Sequence, residues 1–126
     1  MRIAIAVILA LHGVAHLPGF AVPWRLAAPP GGVYPTTLLN GRIAVAEPGM
    51  RAVGLVWLLL GLGFVAVAAG AVLGRAGWVQ AAIMVALVSL MWCVVGWPEA
   101  RIGAVVNAAL LTALVAGVRV GLIREG

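Results

Sequence analysis

The chain has 126 residues, of which 65% are hydrophobic and only 9% are charged. A small soluble domain hides about 60 to 70% of its surface, so this composition excludes a water-soluble fold and requires lipid as part of the solvent. The net charge of +5 comes from arginines spread between apolar runs, which suits phospholipid headgroups and not nucleic acid.

Four apolar runs are long enough to cross a membrane, since a spanning helix needs about 20 mostly apolar residues. They cover residues 2–20, 51–73, 78–97 and 98–123 of a single domain, 1–126. We expect an all-α fold, an integral membrane four-helix bundle with a long loop between helices 1 and 2. The first run also has the form of a signal peptide with a cleavage site at Gly13-Val14-Ala15, but we expect a retained helix.

The first run carries the chain's two histidines, His12 and His16, in the stretch LHGVAHLPGF. Residues four apart share a helix face, so the imidazoles should stack on one side, with His12 about 6 Å deeper. Two imidazoles at this spacing can hold a metal ion, although the glutamate of the zinc-protease motif is missing. Either histidine alone is better explained by a hydrogen bond to a neighbouring helix.

The loop at residues 21–50 holds five of the seven prolines and several turn signals, such as Asn40-Gly41. It is too long for a tight turn and too apolar for a free linker. Long loops in compact domains are often lids or binding loops, so we expect this one to cap one end of the bundle.

Small residues recur every four positions in two of the runs. They are Ala109, Ala113, Gly117 and Gly121 in the fourth run, and Ala66, Gly70 and Gly74 in the second. Such faces allow close approach of helix backbones. We expect the two faces to contact each other within the bundle, although a homo-oligomer or a membrane partner would use the same residues.

Polar and aromatic side chains collect at one end of the predicted bundle. The fourth helix is expected to begin at Pro98, with Glu99 near its positive end. Antiparallel spans then bring together His12, His16, Trp24, Trp57, Trp92, Trp97, Glu99 and Asn107. Interhelical hydrogen bonds would be expected throughout a bundle, whereas ionisable residues within a membrane usually mark a functional site. The asymmetry therefore favours a binding site.

The favoured function is binding of a lipophilic small molecule, with proton transfer as its candidate chemistry. The ligand-binding candidates are His12, His16, Trp57, Trp92, Trp97, Glu99 and Asn107, and the candidate catalytic residues are His12, His16 and Glu99. Simpler roles are an interfacial belt for the tryptophans, interhelical hydrogen bonding for Asn107 and a wetted helix start for Glu99. Cys93 is most simply a core residue. No sequence feature selects a cofactor, a substrate or a reaction.

Two other functions remain open. The first is a non-catalytic accessory subunit that docks a partner through the small-residue helix faces. The second is metal or haem binding through His12 and His16, with Glu47, Glu99 or Asn107 completing a metal shell.

Three stretches, HGVAHLPGF, RAVGLVWLLLGLGF and WPEARIGAVVNAALL, resemble a family of small four-span bacterial membrane proteins of uncharacterised function. The first span of that family carries His-Gly-x-x-His-x-x-Gly-Phe, matched here by His12, Gly13, His16, Gly19 and Phe20. Its last span begins with Trp-Pro and an acid and then reaches an Asn, matched by Trp97, Pro98, Glu99 and Asn107. The layout is also similar to the DoxX-like four-helix membrane proteins, by span pattern alone. The resemblance implies four spans, but it gives no indication of an activity, because the function of the family is uncharacterised.

The chain has arginine but no lysine and is rich in alanine and glycine, which is typical of proteins from GC-rich bacteria. We therefore expect the protein to lie in the bacterial inner membrane. A cytoplasmic N-terminus would place Arg2, Arg75, Arg119 and Arg124 inside, and Arg25, Arg42, Arg51 and Arg101 outside. With four arginines at each end, the positive-inside rule does not select an orientation. Glu47 and Glu99 lower the net charge at the second end, although acids contribute little to orientation. We expect both termini in the cytoplasm.

Overall fold

The computed structural model describes residues 1–123, so Arg124 of the orientation argument lies outside the described residues. The helices are α1 (Arg2–Val14), α2 (Leu17–Ala21), α3 (Ala46–Val72), α4 (Trp78–Val95) and α5 (Arg101–Arg119). A 3-10 turn (Pro30–Gly32) and a two-stranded antiparallel hairpin, β1 (Thr37–Leu38) with β2 (Ile43–Ala44), lie between α2 and α3.

Within residues 1–123, four helical segments are long and apolar enough to cross a membrane: Arg2–Ala21, Ala46–Val72, Trp78–Val95 and Arg101–Arg119. The first combines α1 and α2, whose junction is followed by Pro18 in the first turn of α2, where a missing N–H costs nothing. This confirms the predicted all-α membrane four-helix bundle with a long loop between helices 1 and 2.

Two helix starts differ from the predicted ones. The helix α3 begins at Ala46 and not at 51, which shortens the loop to residues 22–45. The helix α5 begins at Arg101, because the residues before it form turns in which the Ala100 N–H donates to Gly96 and the Arg101 N–H donates to Pro98. Glu99 therefore lies in a turn and not in the first turn of a helix.

The helices pack in the order α1, α3, α4, α5, with α2 also against α3. All four spans contribute to one apolar core, in which Leu9, Phe64, Ala82 and Leu114 are almost fully buried. Many of the other core residues are alanines, which let helix backbones approach closely.

The backbones of α1 and α3 approach each other closely at Gly13 and Gly61. A Cβ on Gly13 would lie 2.7 Å from the carbonyl oxygen of Gly61, and a Cβ on Gly61 would lie 2.8 Å from the carbonyl oxygen of Gly13. Neither backbone could keep its position if either residue carried a side chain. This contact fixes the end of α1, where both histidines lie, against the middle of α3.

The small-residue faces of α3 and α5 do not form the contact expected between them. Ala66, Ala109 and Ala113 are all exposed. The buried face of α5 instead contains Asn107, Leu110, Leu114 and Gly117. Because Asn107 points inward, Ala109, about 200° further around the helix, points away from α4.

One side of the loop is fixed to the end of α4. The Leu39 N–H donates to the Val95 carbonyl at 3.0 Å, and the Asn40 N–H donates to the Trp97 carbonyl at 2.8 Å. Carbonyls at the end of a helix lack partners within the helix, so the hairpin supplies the missing donors.

The other side of the loop is held by a cluster of charges at the start of α3. The Glu47 carboxylate pairs with Arg25 at 3.1 Å and with Arg51 at 2.8 Å. The Arg25 guanidinium also lies over the Tyr34 ring, 4.4 Å from its centroid, and hydrogen bonding to Glu47 raises the pKa of Arg25. The loop is therefore attached at two places across one end of the bundle.

The Gly13–Gly61 contact predicts that Gly61→Ala lowers the melting temperature of the protein in detergent. The added methyl group has to displace α1, and overpacking of this kind costs about 1–3 kcal/mol. The matched control is Gly63→Ala on the same helix, whose Cβ would meet only Val85 at 3.5 Å, an ordinary contact. Equal melting temperatures for the two variants would contradict the tight contact.

Candidate functional site

The buried polar side chains form one cluster in the half of the bundle nearer the loop. Within residues 1–123 they are His12, His16, Ser89 and Asn107, each at most 8% exposed. They come from α1, the α1–α2 junction, α4 and α5. We call this cluster, with its hydrogen bonds, the polar ring.

Four hydrogen bonds close the polar ring. The His12 Nε2 lies 3.2 Å from Asn107 Oδ1, and Asn107 Nδ2 lies 2.9 Å from Ser89 Oγ. Ser89 Oγ lies 2.9 Å from His16 Nε2, and His16 Nδ1 lies 2.8 Å from the His12 carbonyl oxygen. The series thus begins and ends at His12 and links three spans.

The donors and acceptors of the polar ring can be assigned from its two backbone carbonyls. A carbonyl only accepts, so His16 Nδ1–H donates to His12, and Asn107 Nδ2–H donates to the Gly103 carbonyl at 2.9 Å. The remaining atom of that amide, Oδ1, accepts from His12 Nε2–H. His16 Nε2 is then an acceptor, and the Ser89 hydroxyl donates to it. Every hydrogen bond of the ring therefore points the same way around it, and His16, which donates from Nδ1 and accepts at Nε2, is neutral.

Aromatic rings from α3 cover the imidazoles on the side away from Ser89 and Asn107. The Phe64 ring lies edge-on to His12, with centroids 4.6 Å apart, and 5.3 Å from the His16 ring. The Trp57 ring lies 5.4 Å from the His16 ring. The imidazoles are thus enclosed by hydrogen-bonding groups and by apolar rings.

Three glycines make room for the groups around the ring. A Cβ on Gly19 would lie 2.5 Å from the Trp57 indole, and one on Gly96 would lie 3.2 Å from the same indole. A Cβ on Gly103 would lie 3.0 Å from the sulfur of Cys93. The Trp57 indole is therefore inserted between α2 and the end of α4, directly beside His16.

The structure brings only some of the predicted site residues together. His12, His16 and Asn107 share the polar ring, and Trp57 contacts it. Trp92 is partly buried, and its Nε1 has no hydrogen-bond partner within the described range.

The residues predicted nearer the membrane surface lie outside the cluster. Trp97 is 46% exposed, and Glu99 is exposed and forms no ion pair or hydrogen bond with any of residues 1–123. Trp24 donates from Nε1 to the Arg51 carbonyl at 3.1 Å, at the outer end of α3. These three residues thus surround the loop end of the bundle and do not line the ring.

Two residues at the ring are missing from the predicted site. Ser89 is a ring member, and Cys93, predicted as core, places its sulfur 3.6 Å from Asn107 Nδ2. The sequence holds a signal for both, because they are the chain's only serine and only cysteine and lie four residues apart in an apolar helix. That spacing puts them on one face, and this face is directed at Asn107.

The arrangement offers little to a metal ion. Within residues 1–123, no three His, Cys, Asp or Glu residues lie close enough to share a metal. Both nitrogens of His16 and Nε2 of His12 are already hydrogen-bonded. Glu47, an expected third ligand, pairs with arginines at the loop. His12 Nδ1 is the ring nitrogen without a hydrogen bond among the described residues.

A small groove runs beside the ring between α1–α2 and α3, with a volume of about 70 Å³. His16 is the ionisable residue of its lining, together with Trp57 and apolar side chains such as Val14 and Leu62. Pockets that enclose a whole drug-sized ligand measure about 300–1,000 Å³. This groove can therefore admit one small group of a larger molecule.

Comparisons with known protein families, with curated proteins and with solved structures found no match. The resemblance to the small four-span family therefore stays a prediction from the motif residues. The structure gives those residues physical roles. His12 and His16 form the ring, Gly13 contacts Gly61, and Gly19 accommodates Trp57.

We expect Asn107→Leu to lower the melting temperature strongly. It removes the acceptor of His12 and a donor to Ser89, and each buried polar group left unpaired costs about 1–3 kcal/mol. The matched control is Thr112→Val on the same helix, because the Thr112 hydroxyl is exposed and donates only to the Ala108 carbonyl of its own helix. A similar loss in both variants would show that the ring does not contribute specifically.

Proposed function

We propose that this chain is a membrane protein that binds a lipophilic small molecule beside the polar ring. The observation that carries the proposal is the concentration of the buried polar side chains in a single cluster, in one half of the bundle. Polar residues that only join helices would be expected along the whole bundle. Stability alone does not require such a cluster, because an apolar core of the same shape is often as stable as a buried polar network.

The groove between α1–α2 and α3 supports a ligand that stays largely in the lipid. About 70 Å³ accommodates one end of a molecule, such as a methyl-branched chain end or a small ring substituent. The rest of the molecule would lie along the exposed side chains of α1 and α3, among them Val14 and Leu62. Only a lipophilic compound has a favourable environment in both places.

Of the two imidazoles, His16 lines the groove, whereas His12, one turn away, has the nitrogen that can accept a proton without opening the ring. Its Nδ1 can take up a proton while Nε2–H continues to donate to Asn107, so the ring stays closed. His16 differs, because its Nε2 accepts from Ser89 and could bind a proton only by losing that hydrogen bond. Glu99, the third candidate catalytic residue, is exposed and lies outside the ring.

The proposed location is the inner membrane of a bacterium, with both termini in the cytoplasm. The composition supports the bacterial source. The charge distribution supports the orientation, because at the loop end the single carboxylate of Glu47 pairs with both Arg25 and Arg51 and offsets one of their two positive charges. At the opposite end, Arg2, Arg75 and Arg119 have no acidic partner among residues 1–123.

The proposal is tested by closing the groove without touching the ring. Leu62→Trp places an indole in the groove, and Leu59→Trp places the same indole on the lipid-facing side of the same helix, where Leu59 is 66% exposed. We expect native mass spectrometry of protein released from its own membranes to show a retained lipophilic mass in wild type and Leu59→Trp. The mass should be lost in Leu62→Trp. Equal retention in both variants would exclude the groove as the binding site.

The second candidate is a non-catalytic accessory subunit, and the exposed small-residue face of α5 favours it. Ala109 and Ala113 lie one turn apart on the outside of the bundle, where another helix could approach closely. Gly117, at the next position of the predicted face, is covered by Ile123 and serves the chain's own packing.

This candidate predicts that Ala113→Leu releases a bound partner chain or a second copy. The control is Ala108→Leu, an identical change at an exposed position on another side of α5. Native mass spectrometry from membrane fragments would measure the assembly. An unchanged assembly in Ala113→Leu, or an equal loss in both variants, would contradict docking through this face.

A further inference from the structure

A second groove, separate from the polar ring, lies on the outer face of α5. It is a shallow, open depression of about 430 Å³, and all of its lining residues belong to α5: Leu111, Thr112, Val115, Ala116 and Arg119. The α5 span is also the least covered of the four, with 17% of it buried against 28 to 39% in the others. In a membrane this groove is therefore filled by whatever lies next to α5 in the lipid.

The groove combines an apolar length with one charged end. From Leu111 to Arg119 the helix rises about 12 Å, and the lining between them is apolar apart from Thr112. The Thr112 hydroxyl already donates to the Ala108 carbonyl at 2.8 Å. Arg119, in the last turn of α5, is exposed and has no ion pair with any described residue.

We propose that this groove binds one anionic phospholipid. Its acyl chain lies along Leu111 and Val115, and its phosphate accepts hydrogen bonds from the Arg119 guanidinium, whose planar donors match phosphate oxygens. The lining contains no carboxylate that could pair with the ammonium group of a zwitterionic headgroup. A lipid with net negative charge is therefore the complementary occupant.

Other arginines at this membrane face also attract anionic lipids. The Arg2 side chain lies against the α3–α4 turn, 3.0 Å from the position of a Cβ on Gly74, and Arg75 is exposed in that turn. Basic residues near a membrane surface attract anionic lipids, but without fixing a particular lipid in place. The groove adds to this attraction an apolar strip of α5 that leads directly to the Arg119 guanidinium.

Two simpler accounts of Arg119 make different predictions. A cation in the last turn stabilises the negative end of its own helix, which would leave lipid binding unchanged when Arg119 is replaced. A diffuse attraction by the arginines of this face would make Arg75 as important as Arg119. Arg75 therefore serves as the matched control, since it has the same charge at the same face but lies outside the groove.

The experiment compares wild type, Arg119→Gln and Arg75→Gln in detergent, after addition of phosphatidylglycerol or phosphatidylcholine with identical acyl chains. Native mass spectrometry measures the fraction of protein that retains one lipid. We expect wild type to prefer phosphatidylglycerol, Arg119→Gln to bind it about ten-fold more weakly, and Arg75→Gln to resemble wild type. Ala116→Trp, which fills the groove and keeps Arg119, is expected to lose the lipid as well.

Four results would overturn the proposal. They are unchanged binding in Arg119→Gln, equal weakening in Arg119→Gln and Arg75→Gln, equal retention of the two lipids by wild type, and unchanged binding in Ala116→Trp. Inorganic phosphate tests whether Arg119 is only a simple anion site. Such a site would bind free phosphate and release the lipid, whether or not the groove is open. None of these results depends on the polar ring, so the test is independent of the proposed function.

Discussion

The four hydrogen bonds of the polar ring hold three of the four spans, α1, α4 and α5, in one arrangement. Helices surrounded by lipid gain little from hiding apolar surface, so close packing and polar contacts decide which faces meet. Asn107 is the central member, because its one amide group contacts α1, α4 and its own helix. Its inward position sets the rotation of α5. That rotation leaves Ala109 and Ala113 on the outside and places Leu110 and Leu114 against the core.

The packing around the ring depends on small residues opposite large ones. Gly13 and Gly61 let α1 lie against α3, and this contact carries the imidazoles to within ring-stacking distance of Phe64. Gly19 then leaves space for the Trp57 indole, which closes the outer side of the site. The motif residues on the first span thus act together, since each glycine makes possible a contact of a neighbouring polar or aromatic side chain.

Much of the fold could be predicted from the sequence, because span length and hydropathy are properties of single segments. The meeting of His12, His16 and Asn107 was also predictable, since antiparallel spans place those positions at similar depths. The role of Ser89 was not, because its partner depends on the rotation of two helices, which span pattern does not specify. Glu99 was misplaced for a related reason. Turns between Gly96 and Arg101 delay the start of α5 and leave this carboxylate at the surface.

The attachment of the hairpin to α4 has a consequence for how the loop can evolve. The donors at Leu39 and Asn40 are backbone amides, so the two hydrogen bonds to Val95 and Trp97 are independent of side-chain identity. Residues of the loop that face outward can therefore be exchanged while the hairpin stays docked. The constraint falls on conformation instead, because both donor residues have positive φ, 49° and 55°, a region that favours asparagine and glycine. The hairpin tip is therefore constrained mainly in its backbone conformation, and its outward-facing side chains contribute nothing to these two hydrogen bonds.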